Sequence, residues 1–161
     1  MRASGVPELE RGDAEVLTVE NARRKARAVH VQGAQEAVLG CDTVVVLGGE
    51  IYGKPADVDA ARRTLRALAG RTHEVISGLV LALPGTERTA IARTAVTFRE
   101  LDERLIDWYL ATEEWRDRAG GYAIQGAGSA LVRAIDGDYE NVVGLPLASL
   151  LDIYPELLRA H

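Results

Sequence analysis

The spacing of apolar positions along the chain switches repeatedly between a helical period and strand-like runs. Val19, Ala22, Ala26 and Val29 recur near helical spacing, predicting a helix from Thr18 to about His30 with Thr18 as its cap. Residues 37–47 hold the β-branched run Val44-Val45-Val46 and predict a buried strand, interrupted near Gly40. Gly48-Gly49 is a hairpin signal, with Glu50 to Tyr52 as the short return. Asp57 or Asp59 opens a helix through Ala69, carrying Ala60, Ala61, Leu65 and Leu68, and Gly70 ends it. Glu74 to Leu83 and Thr89 to Arg99 read as two long strands joined at Pro84-Gly85. Leu101 to Ala111 is an amphipathic helix with Leu105, Trp108 and Tyr109. A glycine-rich loop over Ala119 to Gly128, a strand over Ser129 to Ile135 and a turn at Asp136-Gly137-Asp138 follow. Pro146 to Arg159 is a closing helix with proline at a permitted early position. These elements predict an α/β fold whose long antiparallel hairpin makes the sheet mixed rather than wholly parallel.

Composition narrows the functions available. A chain of 161 residues is expected to form a single domain over 1–161, with room for two lobes. A net charge of −5 without a basic block argues against duplex nucleic acid as a partner, while a free nucleotide needs only a few local cations. No apolar run reaches the length of a membrane span, and the opening MRASGVPELERGD has no signal-peptide core. One cysteine excludes an intrachain disulfide framework and a cysteine-based zinc site, and points to a reducing cytoplasm. Aromatic residues at 5% make a base-stacking platform improbable.

The clearest chemical signal is Asp42, at the N-terminal side of the valine run. An ionised carboxylate there must be solvated, paired or bound to a metal. It can hold a divalent cation or take a proton from water, or it can be an ordinary strand-end carboxylate. Lys54 sits in Gly53-Lys54-Pro55, close behind the hairpin. It can neutralise a phosphate or simply decorate a turn, and the Walker spacing is missing. Asn21 and Lys25 lie four apart on one helix face, from which Lys25 can reach a phosphate or remain a surface charge. Glu20 is placed to complement the helix N-terminus. Within Gly120 to Gly128, four glycines in nine residues suit close backbone approach or special dihedrals. The Gln125 amide there can pair with a base edge, or the segment is a plain turn. His73 reads as structural, Cys41 as a small buried hydrophobe, and Ser77 and Ser129 lack a neighbouring histidine for a triad.

Taken in order, these segments resemble the Maf-like family, also called septum formation proteins. The matching pieces are Ser4-Gly5-Val6 with Glu8, ENARRKA from Glu20, GCDTVVVLGGE from Gly40, and GKP from Gly53. RALAGRTHEV from Arg66, VTFREL from Val96, RAGGYAIQG from Arg118 and DGDYENVVGLPL from Asp136 complete the set. The resemblance implies a Maf/ITPase-like mixed β-sheet flanked by helices, in two lobes with a cleft. It implies a nucleoside triphosphate pyrophosphatase that cuts between the α- and β-phosphates of dTTP or UTP, or of modified nucleotides, with magnesium or manganese. By that resemblance Asp42 is the proton acceptor of the GADT motif. Lys25 and Lys54 hold the triphosphate, Glu8 joins Asp42 at the metal, and Thr43 and Gln125 choose the base. The pairing of Asp-Thr with Ile-Gln-Gly looks like the dTTP/UTP branch, since the 7-methyl-GTP branch differs at both places. A homodimer is compatible with the family, and a non-catalytic nucleotide- or partner-binding relative concerned with cell-division control is the alternative.

The chain departs from the pattern at its start. The family's first strand and S-x-S-P-R-R loop have no counterpart, which is expected to leave an open sheet edge and to remove phosphate-binding arginines. Either the start is placed too far downstream, the reading favoured because Arg2 to Glu8 already reads as mid-domain sequence, or the chain is a truncated and weakened relative. Arg118 also replaces a common lysine, keeping the charge but not the point geometry.

Overall fold

Strand β1 (Val38–Leu47) and strand β3 (Thr72–Leu83) lie side by side at the centre of a five-stranded sheet in the computed structural model, which describes residues 5, 7–9, 12–29 and 36–159. The order is β2 (Glu50–Tyr52), β1, β3, β4 (Thr86–Phe98), β5 (Val132–Asp136), and every ladder is antiparallel. The architecture is the expected α/β one, a sheet flanked by helices. Among the described residues, however, the sheet is wholly antiparallel and not mixed, because the β1–β2 and β3–β4 hairpins and the antiparallel β1–β3 and β4–β5 ladders account for every strand. Strand β2 pairs only with Val45 to Leu47. The same edge of β1 from Val38 to Val44 has no strand partner among the described residues.

Alternation along β1 divides its side chains between two layers. Val44 joins Leu17 and Ile76 beneath helix α1 (Ala14–Val29), where Ala22 and Ala26 also pack on Val80. Val45 and Leu47 point the other way, into the main core. That core gathers Leu65 and Leu68 of helix α2 (Val58–Leu68), Ile106 and Tyr109 of helix α3 (Glu103–Ala111), and Phe98 and Leu131. Two glycines let α1 come down onto the sheet. A Cβ on Gly40 would stand 2.0 Å from the Ala22 carbonyl oxygen, and one on Gly78 2.5 Å from the backbone at Thr18 and Val19.

Several boundaries differ from the sequence reading, each for a local reason. Helix α1 begins a turn earlier than Thr18. Its cap is Asp13, whose Oδ1 accepts from the amides of Glu15 (3.0 Å) and Val16 (3.1 Å). Thr18 lies inside the helix and donates back to the Ala14 carbonyl at 2.8 Å. Glu20 is mid-helix and pairs with Arg23 and Arg24 rather than with the helix start. The expected end at His30, and Arg2, Ser4 and Val6 of the N-terminal match, lie outside the described residues. Strand β1 runs unbroken through Gly40, because the glycine serves helix packing and not a bulge. Pro155 splits the closing helix into α5 (Leu147–Ile153) and a 3₁₀ turn over Pro155–Arg159. A short helix, α4 (Tyr139–Val143), occupies DYENVVG, with Asp138 as its cap. The Gly48-Gly49 hairpin and the Asp57 cap fall where expected. Both glycines have φ > 0, and Asp57 accepts from the Ala60 amide at 2.7 Å.

His73 is structural. It is 1% exposed, its Nε2 lies 2.9 Å from the Tyr122 hydroxyl, and it stands edge-on to Phe98 and Tyr122. Burial pulls its pKa down from 6.5 to about 4. The unfolded chain therefore takes up this proton first, so the folded state is fully favoured above pH 6.5 and loses stability as pH falls towards 4. Replacing the imidazole by His73→Phe should flatten the stability–pH curve in that window by up to about 1.4 kcal/mol per pH unit. Urea unfolding at stepped pH checks this, and parallel curves for the two proteins would show that His73 is not the group being protonated.

Candidate active site

Period-two geometry puts Gly40, Asp42 and Val44 on the face of β1 that α1 covers, while Asn21 and Lys25 share one face of α1. The close helix–sheet approach therefore presents Asp42 with two donors. Its Oδ1 accepts from Lys25 Nζ at 2.5 Å and its Oδ2 from Asn21 Nδ2 at 3.0 Å. Asp42 is 5% exposed, so these bonds replace most of its hydration. Lys25 also reaches Glu8 Oε1 at 2.7 Å, and Lys54 Nζ binds the same carboxylate at 3.0 and 3.3 Å. Charges thus alternate along Lys54, Glu8, Lys25 and Asp42.

The protonation states follow from this chain of contacts. Partial burial pushes the Glu8 carboxyl up, but hydrogen bonds from Lys25 and Lys54 outweigh it and the net shift is downward. Burial likewise lowers Lys25, yet its bonds to Asp42 and Glu8 prevail and its pKa rises. Lys25 is held as an ammonium. Burial drives the Cys41 thiol up to about 11, so it is a protonated, unreactive neighbour that donates to the Gly144 carbonyl at 3.2 Å.

A cleft of about 440 Å³ opens beside these groups, lined by Glu8, Asn21, Asp42, Thr43, Lys54 and Ala119 among others. It forms where β2 ends and the edge of β1 is left open, so consecutive residues Asp42 and Thr43 both reach it from opposite faces of the strand. Thr43 Oγ1 lies 2.7 Å from Ser77 Oγ on the paired strand. Ser77 is fully buried, and Thr43 is its hydroxyl's partner among the described residues. One hydroxyl donates to the other, so the pair satisfies the buried Ser77 oxygen and ties Thr43 to the neighbouring strand. The glycine-rich segment closes the far wall. The Gly120 amide donates to the Gly53 carbonyl at 3.1 Å, and a Cβ there would meet Val45 at 2.7 Å.

Glu8, Lys25, Asp42, Thr43 and Lys54 are thus brought together. Gln125 is not among them. It lines a second pocket, of about 330 Å³, with Glu113, Glu114, Arg116 and Arg118. Asn21 and Ser77 belong to the site although neither was singled out for a role. The signal for Asn21 was its four-residue spacing from Lys25, whereas Ser77 is visible only through strand register. No group of three or more His, Cys, Asp or Glu suited to a metal occurs among the described residues. Glu8 and Asp42 do offer oxygens that flank one Lys25 nitrogen, and two carboxylates completed by phosphate oxygens are an ordinary magnesium environment. The donor set fits a cation that arrives with a phosphate ligand, not one caged by protein alone.

The Maf-like protein family model matches residues 2–157. The chain is 45% identical over 132 residues to the dTTP/UTP pyrophosphatase of Pyrococcus furiosus, covering 82% of this chain and 70% of that protein. The protein of the same name from Pyrococcus abyssi is 46% identical over 132 residues, covering 82% and 71%. The one from Anaeromyxobacter dehalogenans strain 2CP-C is 51% identical over 131 residues, covering 79% and 66%. The chain therefore spans about two thirds of the length of these curated relatives.

The Asp42–Lys25 pair should be visible in stability. Lys25→Met leaves the Asp42 carboxylate buried with Asn21 as its remaining donor, and should cost about 2–4 kcal/mol. Adding Asp42→Asn to that variant removes the stranded charge and should recover most of the loss, as read by urea unfolding. Equal stabilities of the single and double variants would mean that the pair carries no weight.

Proposed function

The chain belongs to the Maf-like protein family, and we propose that it is a nucleoside triphosphate pyrophosphatase acting on dTTP and UTP. The products are the nucleoside monophosphate and pyrophosphate. The observation that carries this reading is the alternating chain Lys54–Glu8–Lys25–Asp42, of which Lys54, Glu8 and Asp42 line the cleft, supported by relatives named for the same activity.

Each residue has a part that its surroundings suit. A polyanionic triphosphate competes with Glu8 for Lys25 and Lys54, and the two ammonium groups take up charge that develops on the leaving pyrophosphate. Asp42, held on both oxygens, accepts the proton of the attacking water. The water oxygen bonds to the α-phosphorus as the bond to the α–β bridging oxygen breaks. Glu8 and Asp42 would hold a magnesium or manganese ion, which when bound supplies charge neutralisation and polarises a phosphate oxygen. Thr43, which lines the cleft, offers a hydroxyl to the nucleotide. Gln125 can choose the base only if the base extends past Ala119 toward the second pocket. No helix among the described residues is long and apolar enough to cross a membrane, and a cytoplasmic location suits a chain with one cysteine.

Pyrophosphate release from dTTP, UTP, CTP and 7-methyl-GTP, with magnesium or manganese, tests the reading. Turnover of dTTP and UTP is expected, and silence on all four from folded protein would sink it. Asp42→Asn should lower kcat by at least about a hundredfold with the circular dichroism spectrum unchanged. Gln125→Ala should lower the preference for dTTP and UTP over CTP, and an unchanged ratio would remove Gln125 from the site.

A further inference from the structure

Asn21 is a buried polar side chain, 2% exposed, in the middle of a helix that packs on a sheet. Such a residue is costly unless every polar atom is used, and here each is. Asn21 Oδ1 accepts from the Leu9 amide at 2.7 Å, while its Nδ2 donates to the Leu9 carbonyl at 3.1 Å and to Asp42 Oδ2 at 3.0 Å. The Leu9 N–H can only donate, so the orientation of the Asn21 amide is settled by the backbone it grips. The face it turns to Asp42 is necessarily a donor.

The grip bears directly on Glu8, which is adjoined to Leu9 by one trans peptide and therefore has its Cα held within about 3.8 Å of a clamped atom. Lys25, one helical turn away, makes the parallel pair of contacts, to Glu8 Oε1 and Asp42 Oδ1. Asn21 and Lys25 thus tie the same two partners together, one through neutral hydrogen bonds and one through charge. The charged tie must loosen when a polyanion draws Lys25 away. The neutral one has no reason to.

Resting on the pyrophosphatase reading above, we infer that Asn21 is a positioning residue that keeps the Glu8 and Asp42 carboxylates at a set separation while Lys25 changes partners. It acts through Leu9 and Asp42, which engage its polar atoms although the residue lines the cleft. Its loss should therefore weaken the function the two carboxylates share, which is holding the cation, and should spare the lysine contacts that hold the triphosphate.

Asn21→Leu keeps a branched side chain of greater volume and removes all three hydrogen bonds, and Asn21→Ala serves if the larger residue prevents folding. Three measurements are needed. Hydrogen exchange of the Leu9 amide in metal-free protein should quicken by at least about fivefold in the variant. The manganese concentration for half-maximal dTTP turnover should rise by at least about tenfold. The KM for dTTP at saturating manganese should change less than about threefold, a split that a general loss of folded protein would not produce. An unchanged Leu9 exchange rate, or unchanged manganese dependence despite fast exchange, would overturn the inference. If the unaltered protein turns over no nucleotide, the pyrophosphatase reading fails by itself. Manganese-dependent binding of α,β-methylene-dTTP, measured by calorimetry on both proteins, then decides the role of Asn21 by the same criterion.

Discussion

Everything at the cleft depends on how close helix α1 comes to the sheet. Gly40 and Gly78, on neighbouring strands, leave no side chain between the sheet and the backbone of α1, and Ala22 and Ala26 keep the helix side equally thin. A methyl at either glycine would overlap backbone atoms, which cannot swing aside as a long side chain can. At this separation a side chain as short as asparagine spans from helix to strand and still bonds a carboxylate. The packing constraint and the chemistry are thus one feature. Gly78 faces Asp42 across the ladder, so the residue that admits the helix is also the cross-strand neighbour of the residue the helix serves.

Once Asp42 is buried, its charge has to be answered locally. Lys25 answers it, Glu8 balances Lys25, and Lys54 balances Glu8, giving a run of alternating sign that ends at an exposed lysine. Buried ion pairs add little net stability, because desolvation takes back most of the Coulombic gain. Their value here is that the Lys25 ammonium is kept in place and charged in a protein whose overall charge is −5. A polyanion entering the cleft has only to exchange places with one carboxylate, not to recruit cations from solvent.

Much of the fold was legible in the sequence because local rules and tertiary outcome agreed. The Asp57 cap, the Gly48-Gly49 hairpin and the long β3–β4 pair all fall close to where pattern places them. The departures came where a residue serves a distant partner. Gly40 reads as an interruption when only its own strand is considered, yet it exists for Ala22. Thr18 reads as a cap, yet its hydroxyl is absorbed by the preceding turn, and Asp13 does the capping in a stretch without apolar periodicity. The charged residues of the site were legible mainly through the family resemblance, since each alone is an ordinary surface charge. Ser77, which pairs with Thr43, becomes visible only once the register of β1 against β3 is known. Gln125 shows the converse, a residue whose motif is clear but whose side chain lines a different pocket from Asp42.

The shortness of β2 is what turns these residues into a site. Had β2 continued along β1, its backbone would have covered the edge at Asp42 and Thr43. Because pairing ends at Val45, the chain departs through Gly53 and Lys54, and among the described residues the edge faces a cleft. At an open edge the two faces of a strand are both within reach of one ligand. Asp42 brings the polar layer under α1, and Thr43 brings the hydroxyl pair from the opposite face. Acidic and hydroxyl chemistry normally separated by the thickness of a sheet thereby meet on consecutive residues. An exposed edge is usually a hazard that proteins cover or charge. Here the charge that guards it, Lys54 against Glu8, is the same charge proposed to receive the phosphates.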